Sequence, residues 1–184
     1  MQAFKTSLLA GAMLASAGFA AQAADPGVPA NDYQAMGFYL RGDIGWSFLD
    51  WSGGADDDAL ALGVGAGYRF YDSMRADLRL DWAGDYDVAP GADLSVSSVL
   101  GNLYFDWANN SSFTPYVGAG LGYGWATASP GNDKDGFAYA LMAGVAVDLT
   151  ENISIDTEYR FRDVMVSGSD PYEHQILTGL RFEF

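Results

Sequence analysis

The stretch from Tyr172 to Phe184, YEHQILTGLRFEF, decides the fold because its residues alternate between two kinds of environment. One face is mainly apolar and consists of Tyr172, His174, Ile176, Thr178, Leu180, Phe182 and Phe184. The other face consists of Glu173, Gln175, Leu177, Gly179, Arg181 and Glu183. A period of two residues is that of a β-strand with different surroundings on its two sides. The stretch therefore predicts a strand whose apolar face continues to the C-terminal aromatic residue.

The same alternation occurs seven more times between Phe38 and Arg162. It predicts eight antiparallel strands of about 12 residues each, joined alternately by longer and shorter connections. The longer connections are predicted at 50–58, 85–93, 129–135 and 163–171. In the fourth strand, Leu94 and Val96 have the opposite parity to the apolar residues that follow, which predicts a bulge near Ser97 and Ser98 or a later start. The fold class that follows is all-β, an eight-stranded antiparallel up-and-down barrel.

The N-terminal segment has the features of a secretory signal. Lys5 precedes an apolar run from Leu8 to Ala17, and Ala21-Gln22-Ala23 has the small-x-small pattern of a cleavage site. The apolar run is shorter than the roughly 20 residues that a spanning helix needs. We therefore predict a signal peptide at 1–23 cleaved near Ala23, a flexible lead at 24–36 and a barrel at 37–184.

Composition limits the partners and the sources of stability. The chain has 9 basic and 24 acidic residues, a formal net charge of −15. Without Lys5, eight basic residues oppose 24 acidic ones, which gives −16. Because binding to phosphate backbones needs a basic surface, nucleic acid is not expected as a partner. The chain has no Cys, so its stability depends on backbone hydrogen bonds and packing without disulfides.

The charged residues concentrate on the less apolar face of the strands. Its basic members are Arg41, Arg69, Arg75, Arg79, Arg160, Arg162 and Arg181. Its acidic members are Asp43, Asp77, Asp81, Asp106, Asp148, Asp156, Glu158 and Glu183. A soluble lipocalin-like barrel would turn this face to water, and periodicity alone does not exclude that orientation. Aromatic residues near the ends of the apolar faces and a glycine-rich opposite face favour a transmembrane barrel with lipid outside and charge inside.

The transmembrane orientation predicts a paired charge network in the interior. The predicted members are Arg41, Asp43, Arg69, Arg75, Asp77, Arg79, Asp81, Asp156, Glu158, Arg160, Arg162 and Arg181. An eight-stranded barrel encloses only enough space for side chains, and these would occupy it. No general diffusion channel is therefore expected.

Several motifs carry a resemblance to a known family. They are LRGDIGWSF at Leu40–Phe48, GVGAGYRF at Gly63–Phe70, TPYVGAGLGYG at Thr114–Gly124 and the terminal LRFEF. The chain resembles the alphaproteobacterial outer-membrane immunogenic proteins of the porin-family β-barrels, which are similar to the transmembrane domain of OmpA. The resemblance implies a monomer in the Gram-negative outer membrane, in contact with lipid and lipopolysaccharide. It also implies recognition by the barrel assembly machinery through Leu180, Phe182 and Phe184.

Two local features resemble reactive or binding sites. His174 is the single His, but no His-x-Ser pattern follows it, and Ser167 and Ser169 lie in a predicted loop, so an interfacial role is favoured over catalysis. The run at 56–58 is three consecutive Asp, which could bind a divalent cation but lacks the spaced ligands of a calcium loop. It belongs to a larger acidic set in or beside the longer connections: Asp50, Asp56, Asp57, Asp58, Asp85, Asp87, Asp93, Asp133, Asp135, Asp163, Asp170 and Glu173. No cofactor is predicted.

The sequence favours a structural or surface barrel that supports envelope integrity, displays acidic loops and is not an enzyme. The alternatives are an adhesin or host-contact protein and a narrow or gated ion path. An enzyme that modifies lipid A is the least favoured alternative.

Overall fold

The computed structural model describes residues 36–50, 56–89, 92–129, 133–165 and 172–184. The predicted signal peptide at 1–23 and all of the predicted lead except Met36 lie outside these residues. The strands are β1 (Gly37–Asp50), β2 (Asp56–Tyr71), β3 (Met74–Ala89), β4 (Ala92–Asp106), β5 (Phe113–Ser129), β6 (Lys134–Asp148), β7 (Ile153–Met165) and β8 (Tyr172–Glu183). Within the described part of the chain, no helix is long and apolar enough to cross a membrane.

The eight strands form a closed antiparallel barrel in chain order. The first and last strands close it, with a continuous register from Tyr39 opposite Glu183 to Asp50 opposite Tyr172. Closure pairs the backbone groups of both edge strands, as lipid surroundings require. The predicted fold class is thus confirmed.

The two-residue period separates an exposed outer face from a buried inner face on every strand. On the outer face, Leu40, Leu80 and Leu141 are among the exposed large apolar residues. On the inner face, Arg79 and Arg160 have no exposed surface. In water this arrangement would be unfavourable, because the apolar band around the molecule would stay in contact with water. The barrel is therefore built for lipid outside.

The strands extend further than the sequence predicts. The end of the barrel that holds Gly37 and Glu183 is called the terminal end, and the opposite end the loop end. At the loop end, β3 and β4 are separated only by residues 90–91, so most of the predicted connection at 85–93 is strand. The predicted connections at 50–58, 129–135 and 163–171 are likewise shortened. The prediction failed because the hairpins continue their ladders past the apolar band, where alternation of apolar residues no longer marks a strand.

The predicted irregularity in β4 is wrong in position. Leu94 and Val96 are buried inside the barrel, on the same face as Ser98, and the register of β4 with β5 is continuous through them. The register shifts lie on the β3 side, between Gly84 and Tyr86 and between Asp87 and Ala89. Leu94 and Val96 are apolar because the lumen at this end is apolar. The sequence argument took apolar residues to face outward, and it therefore assigned these two residues to the wrong face.

Inward glycines make room for large side chains on other strands. A Cβ on Gly118 would lie 2.6 Å from the ring of Tyr104, and one on Gly144 would lie 2.6 Å from the ring of Tyr116. Such distances are far below van der Waals contact. The glycine-rich walls of β5 and β6 therefore form the space that bulky residues fill.

Candidate functional site in the barrel lumen

The lumen holds all seven arginines of the barrel, each with a side chain that is at most 1% exposed. The structure places every member of the predicted charge network inside, buried by the surrounding strands. Buried charges are costly unless they are paired and hydrogen-bonded. Their partners therefore determine how the interior is held together.

Glu158 on β7 is the centre of the middle layer. Its carboxylate lies 2.9 Å from Arg160, 3.2 Å from Arg79 and 3.7 Å from Arg41. The hydroxyl of Tyr116 donates a hydrogen bond to it at 3.0 Å. One carboxylate thus joins side chains from β1, β3, β5 and β7.

The arginines around Glu158 have further partners. Arg79 also lies 2.8 Å from Asp81 and 3.2 Å from Asp43. Arg160 lies 2.7 Å from the same Asp81 oxygen, and Arg41 donates from Nε and Nη2 to Asp43 at 3.0 and 2.7 Å. Each arginine in this layer is shared between at least two carboxylates.

Asp77 is held differently from its neighbours in sequence. It accepts hydrogen bonds from the amide of Asn102 at 2.7 Å and the hydroxyl of Tyr39 at 3.2 Å, and its nearest arginine is Arg41 at 3.7 Å. Although it lies between Arg75 and Arg79 on β3, no ion pair joins it to either in the described structure. Asp77 therefore has its partners on β4 and β1, and none of its described ion pairs is with an arginine of its own strand.

A second layer lies at the terminal end of the lumen. Asp106 bridges Arg69 and Arg75 at 2.8 and 3.0 Å. Glu183 pairs with Arg69 at 3.0 Å and with Arg181 at 2.9 Å. Since Arg69 is on β2 and Glu183 on β8, this pair spans β1 and holds the barrel across its closing strands.

Arg181 also donates from Nη1 to both oxygens of Asp156, at 3.0 Å each. This bond completes the layer at the terminal end. Asp156 on β7 and Arg181 on β8 belong to neighbouring strands, so the pair reinforces the backbone ladder between them.

Arg75 is surrounded by tyrosine rings. Its guanidinium lies 4.2 Å from the ring centroid of Tyr104, 4.7 Å from that of Tyr116 and 5.9 Å from that of Tyr39. Its Nε donates to Asp106, while its two terminal nitrogens have no hydrogen-bond partner among the described residues. The ring faces therefore stabilise this cation through cation–π attraction. These inward tyrosines were not among the predicted site residues, although their parity is visible in the sequence.

A third polar layer lies toward the loop end. Glu173 pairs with Arg162 at 2.7 Å and accepts hydrogen bonds from the hydroxyls of Tyr86 at 2.6 Å and Ser47 at 3.2 Å. Arg162 also donates to Ser98 at 3.0 Å. Glu173 was predicted among the acidic residues in or beside the longer connections. It lies beside such a connection, but its side chain faces inward with no exposed surface and is not displayed to solvent.

Apolar side chains fill the lumen beside and beyond this layer. Leu49, Leu94, Val96 and Val164 come from β1, β4 and β7 and are all buried. Asp148, which was predicted on the inner face, has inward parity at the terminal end of β6. It is half-buried there and accepts a hydrogen bond at 2.7 Å from the hydroxyl of the buried Ser154. From the terminal end to the loop end, the interior thus changes from charged to apolar.

Comparisons with known proteins agree with this architecture. Residues 10–184 match the family described as outer membrane protein beta-barrel domain. The chain belongs to this family. An uncharacterized protein of Brucella abortus is 31% identical over an alignment that covers 74% of this chain and 70% of that protein. The predicted resemblance to outer-membrane barrels is confirmed, and the chain is an outer-membrane β-barrel.

Two solved structures share the fold. Neisserial surface protein A aligns with a TM-score of 0.73 at 23% identity and covers 80% of this chain and 97% of its own. Ail, the attachment invasion locus protein of Yersinia pestis, aligns with a TM-score of 0.57 at 17% identity and covers 80% of this chain and 100% of its own. At these identities the likeness shows the fold alone.

The last strand of this outer-membrane barrel presents Leu180, Phe182 and Phe184 on the lipid-facing side, where all three are exposed. The rings of Phe182 and Phe184 pack edge to face at 5.1 Å. The backbone N–H of Phe184 donates to the carbonyl of Phe38 at 3.0 Å. The terminal aromatic residue therefore contributes to the contact that closes the barrel.

His174 also lies on the outer face, near the loop end. Its Nδ1 is 2.6 Å from the hydroxyl of Tyr159, and their rings stack with centroids 6.0 Å apart. Ser167 and Ser169, the hydroxyls weighed as nucleophiles, lie outside the described residues. Of the predicted acidic run, Asp58 accepts a hydrogen bond from Trp46 at 2.6 Å.

Proposed function

We propose that this protein is a sealed structural barrel of the outer membrane that supports envelope integrity and displays acidic hairpins at the cell surface. The observation that carries the proposal is the filled lumen. Seven buried arginines, their carboxylate partners and inward tyrosines occupy the charged part, and apolar side chains occupy the loop end. A barrel filled in this way supplies rigidity and a surface, and its packed interior is expected to be closed to ions.

The ends of the barrel have different roles in this proposal. Outer-membrane barrels have short turns in the periplasm and longer loops outside. The terminal end therefore faces the periplasm, after removal of the signal segment near Ala23, and the loop end faces the exterior. Interior ion pairs lock the strands together, while the outer face contacts lipid and lipopolysaccharide and the last strand is read by the assembly machinery.

Envelope integrity is tested in a strain from which the gene is deleted. The deletion strain should become more sensitive to a detergent and to a large antibiotic that the intact outer membrane excludes. Complementation with the native chain should restore resistance, and so should a variant that keeps the barrel but has acidic loop-end residues such as Asp57 and Asp133 replaced by Asn. A deletion strain with unchanged sensitivity would contradict the proposed role.

Host or surface contact is the second candidate, and the loop end favours it. The hairpins there continue past the outward-facing aromatic residues and carry exposed Asp58, Asp133 and Asp135. Among the structural neighbours, Ail is titled an attachment invasion locus protein, and that title describes Ail. Binding of whole cells to a host-cell layer, compared between native and Asn-substituted loop ends, tests this candidate. Equal binding by both strains would exclude contact through these carboxylates.

A further inference from the structure

The outer face of the barrel is not uniform around its loop end. The ring contacts there, within the described ranges, all lie on β6, β7 and β8. We define an aromatic platform as Tyr139, Tyr159, Phe161, Tyr172 and His174. The centroids of adjacent rings in this platform lie 5.5–6.0 Å apart. The five rings thus form one continuous surface.

The platform is amphipathic. Its rings are half-buried against one another. The hydroxyl of Tyr139 donates to the carboxylate of Asp163 at 3.0 Å, and the hydroxyl of Tyr159 bonds with Nδ1 of His174 at 2.6 Å. Side chains with an apolar body and a polar tip suit the boundary between hydrocarbon and head groups. The platform therefore lies where the sugars or phosphates of outer-leaflet lipids begin.

The charge near the platform indicates whether it suits a sugar or a phosphate. Asp163 lies on its edge. Asp58 also lies on the outer face near the loop end, on β2, two strands from β8, and accepts a hydrogen bond at 2.6 Å from Trp46 of the intervening β1. Carboxylates repel phosphate and accept hydrogen bonds from hydroxyl donors. Flat rings also present apolar faces to the C–H groups of a sugar ring. The combination of aromatic faces with carboxylate acceptors matches a sugar better than a phosphate.

We propose that the aromatic platform binds the sugar rings of an outer-leaflet glycolipid. This inference rests on the proposed orientation of the barrel, with the loop end outside, and it gives the lipid contact of the proposed function a specific place. The rings would pack on the sugar face, and Asp163 at the edge of the platform would accept from sugar hydroxyls. The glycolipid would occupy one side of the barrel, while ordinary lipid surrounds the rest.

The test uses lipid A from which the phosphates have been removed, called lipid A below. Its binding to the purified full-length barrel in micelles is measured by native mass spectrometry, with phosphatidylglycerol as the competing lipid. Tyr172→Leu removes a ring that contacts both Phe161 and His174. A ring contact is worth about 1 kcal/mol, which corresponds to roughly a fivefold loss of lipid A affinity. Tyr159→Phe keeps the ring and removes the hydroxyl bonded to His174. It should lower lipid A affinity less than Tyr172→Leu does.

Tyr123→Leu is the matched control because Tyr123 is an outward tyrosine at the loop end of β5 and bonds to Asp135 outside the platform. It should leave lipid A affinity within about twofold of the native value. Folding of each variant is checked by the gel mobility of the unheated barrel. Three results would overturn the proposed platform. The first is that Tyr172→Leu and Tyr123→Leu lose the same amount of lipid A affinity. The others are that Tyr172→Leu weakens phosphatidylglycerol binding as much as lipid A binding, or leaves lipid A affinity unchanged. None of these results affects the envelope-sensitivity test, so the two proposals can fail separately.

Discussion

Replacing Glu158 by Gln tests whether the interior charges act as a connected network. The substitution keeps the size of the side chain and removes its charge. Glu158 lies within 3.7 Å of three arginines, and its side chain is 1% exposed. Removing one partner of a buried pair commonly destabilises by about 3–5 kcal/mol because the remaining charge stays buried.

The structure places the expected loss at the lower end of that range. After the substitution, Arg79 keeps Asp43 and Asp81, Arg160 keeps Asp81, and Arg41 keeps Asp43. No arginine is left without a carboxylate, so the cost comes from weaker pairing of all three. We expect a loss of about 3 kcal/mol in the free energy of unfolding.

Urea unfolding of the barrel in detergent micelles measures this loss. With a slope of about 1–3 kcal/mol per molar urea, the midpoint should fall by about 1–3 M. Glu151→Gln is the control because Glu151 is exposed in the turn between β6 and β7, and it should change stability by less than about 0.5 kcal/mol. If Glu158→Gln and Glu151→Gln unfold at the same midpoint, the interior carboxylates are individually dispensable and the network reasoning fails.

Three further changes test the faces and the closure of the barrel. Leu141→Arg places a charge on the exposed outer face and should cost about 2–4 kcal/mol in refolding into lipid vesicles if the position is near mid-bilayer; unchanged stability would reverse the two faces. Gly144→Ala should lower the thermal unfolding midpoint because its Cβ would meet the Tyr116 ring at 2.6 Å, whereas Gly42→Ala, with no atom within 4 Å, should not. Equal midpoints for the two alanine variants would show that the lumen has spare room. Deleting Phe184 should leave chain in the periplasm that is sensitive to protease, and normal insertion of the truncated chain would remove the role of the terminal aromatic residue.

The sequence was sufficient for the overall fold because the apolar band imposes a strict period. Residues such as Leu80 and Arg79 are neighbours with opposite surroundings, and only a strand in a two-sided environment produces that alternation. The ends of the strands were not predictable. Beyond the apolar band the outer face of a hairpin meets polar surroundings, while inward residues such as Leu94 and Val96 are apolar. The pattern of apolar residues that marks the lipid-facing part of a strand is therefore lost, although the backbone ladder continues.

The ion pairs inside the lumen also could not be predicted from the sequence. Arg69 and Glu183 are 114 residues apart and meet because β8 closes on β1, with a stagger that the sequence does not contain. Glu173 has inward parity, but its position beside a loop suggested an exposed acid. In the structure it faces inward, where it binds Arg162 and Tyr86. The tyrosines around Arg75 likewise have inward parity, and only the packing shows that they surround a cation.

Electrical recording from the native barrel in a planar lipid bilayer tests the central claim, that the lumen is sealed, most directly. Arg162 and Glu173 are fully buried, and Val164 lies buried beyond them toward the loop end. We therefore expect the buried side chains to leave no passage for ions. Inserted barrels, verified by their gel mobility before reconstitution, should give no current steps above the bare bilayer in concentrated salt. Stable, ohmic steps that scale with the number of inserted barrels would contradict the sealed lumen.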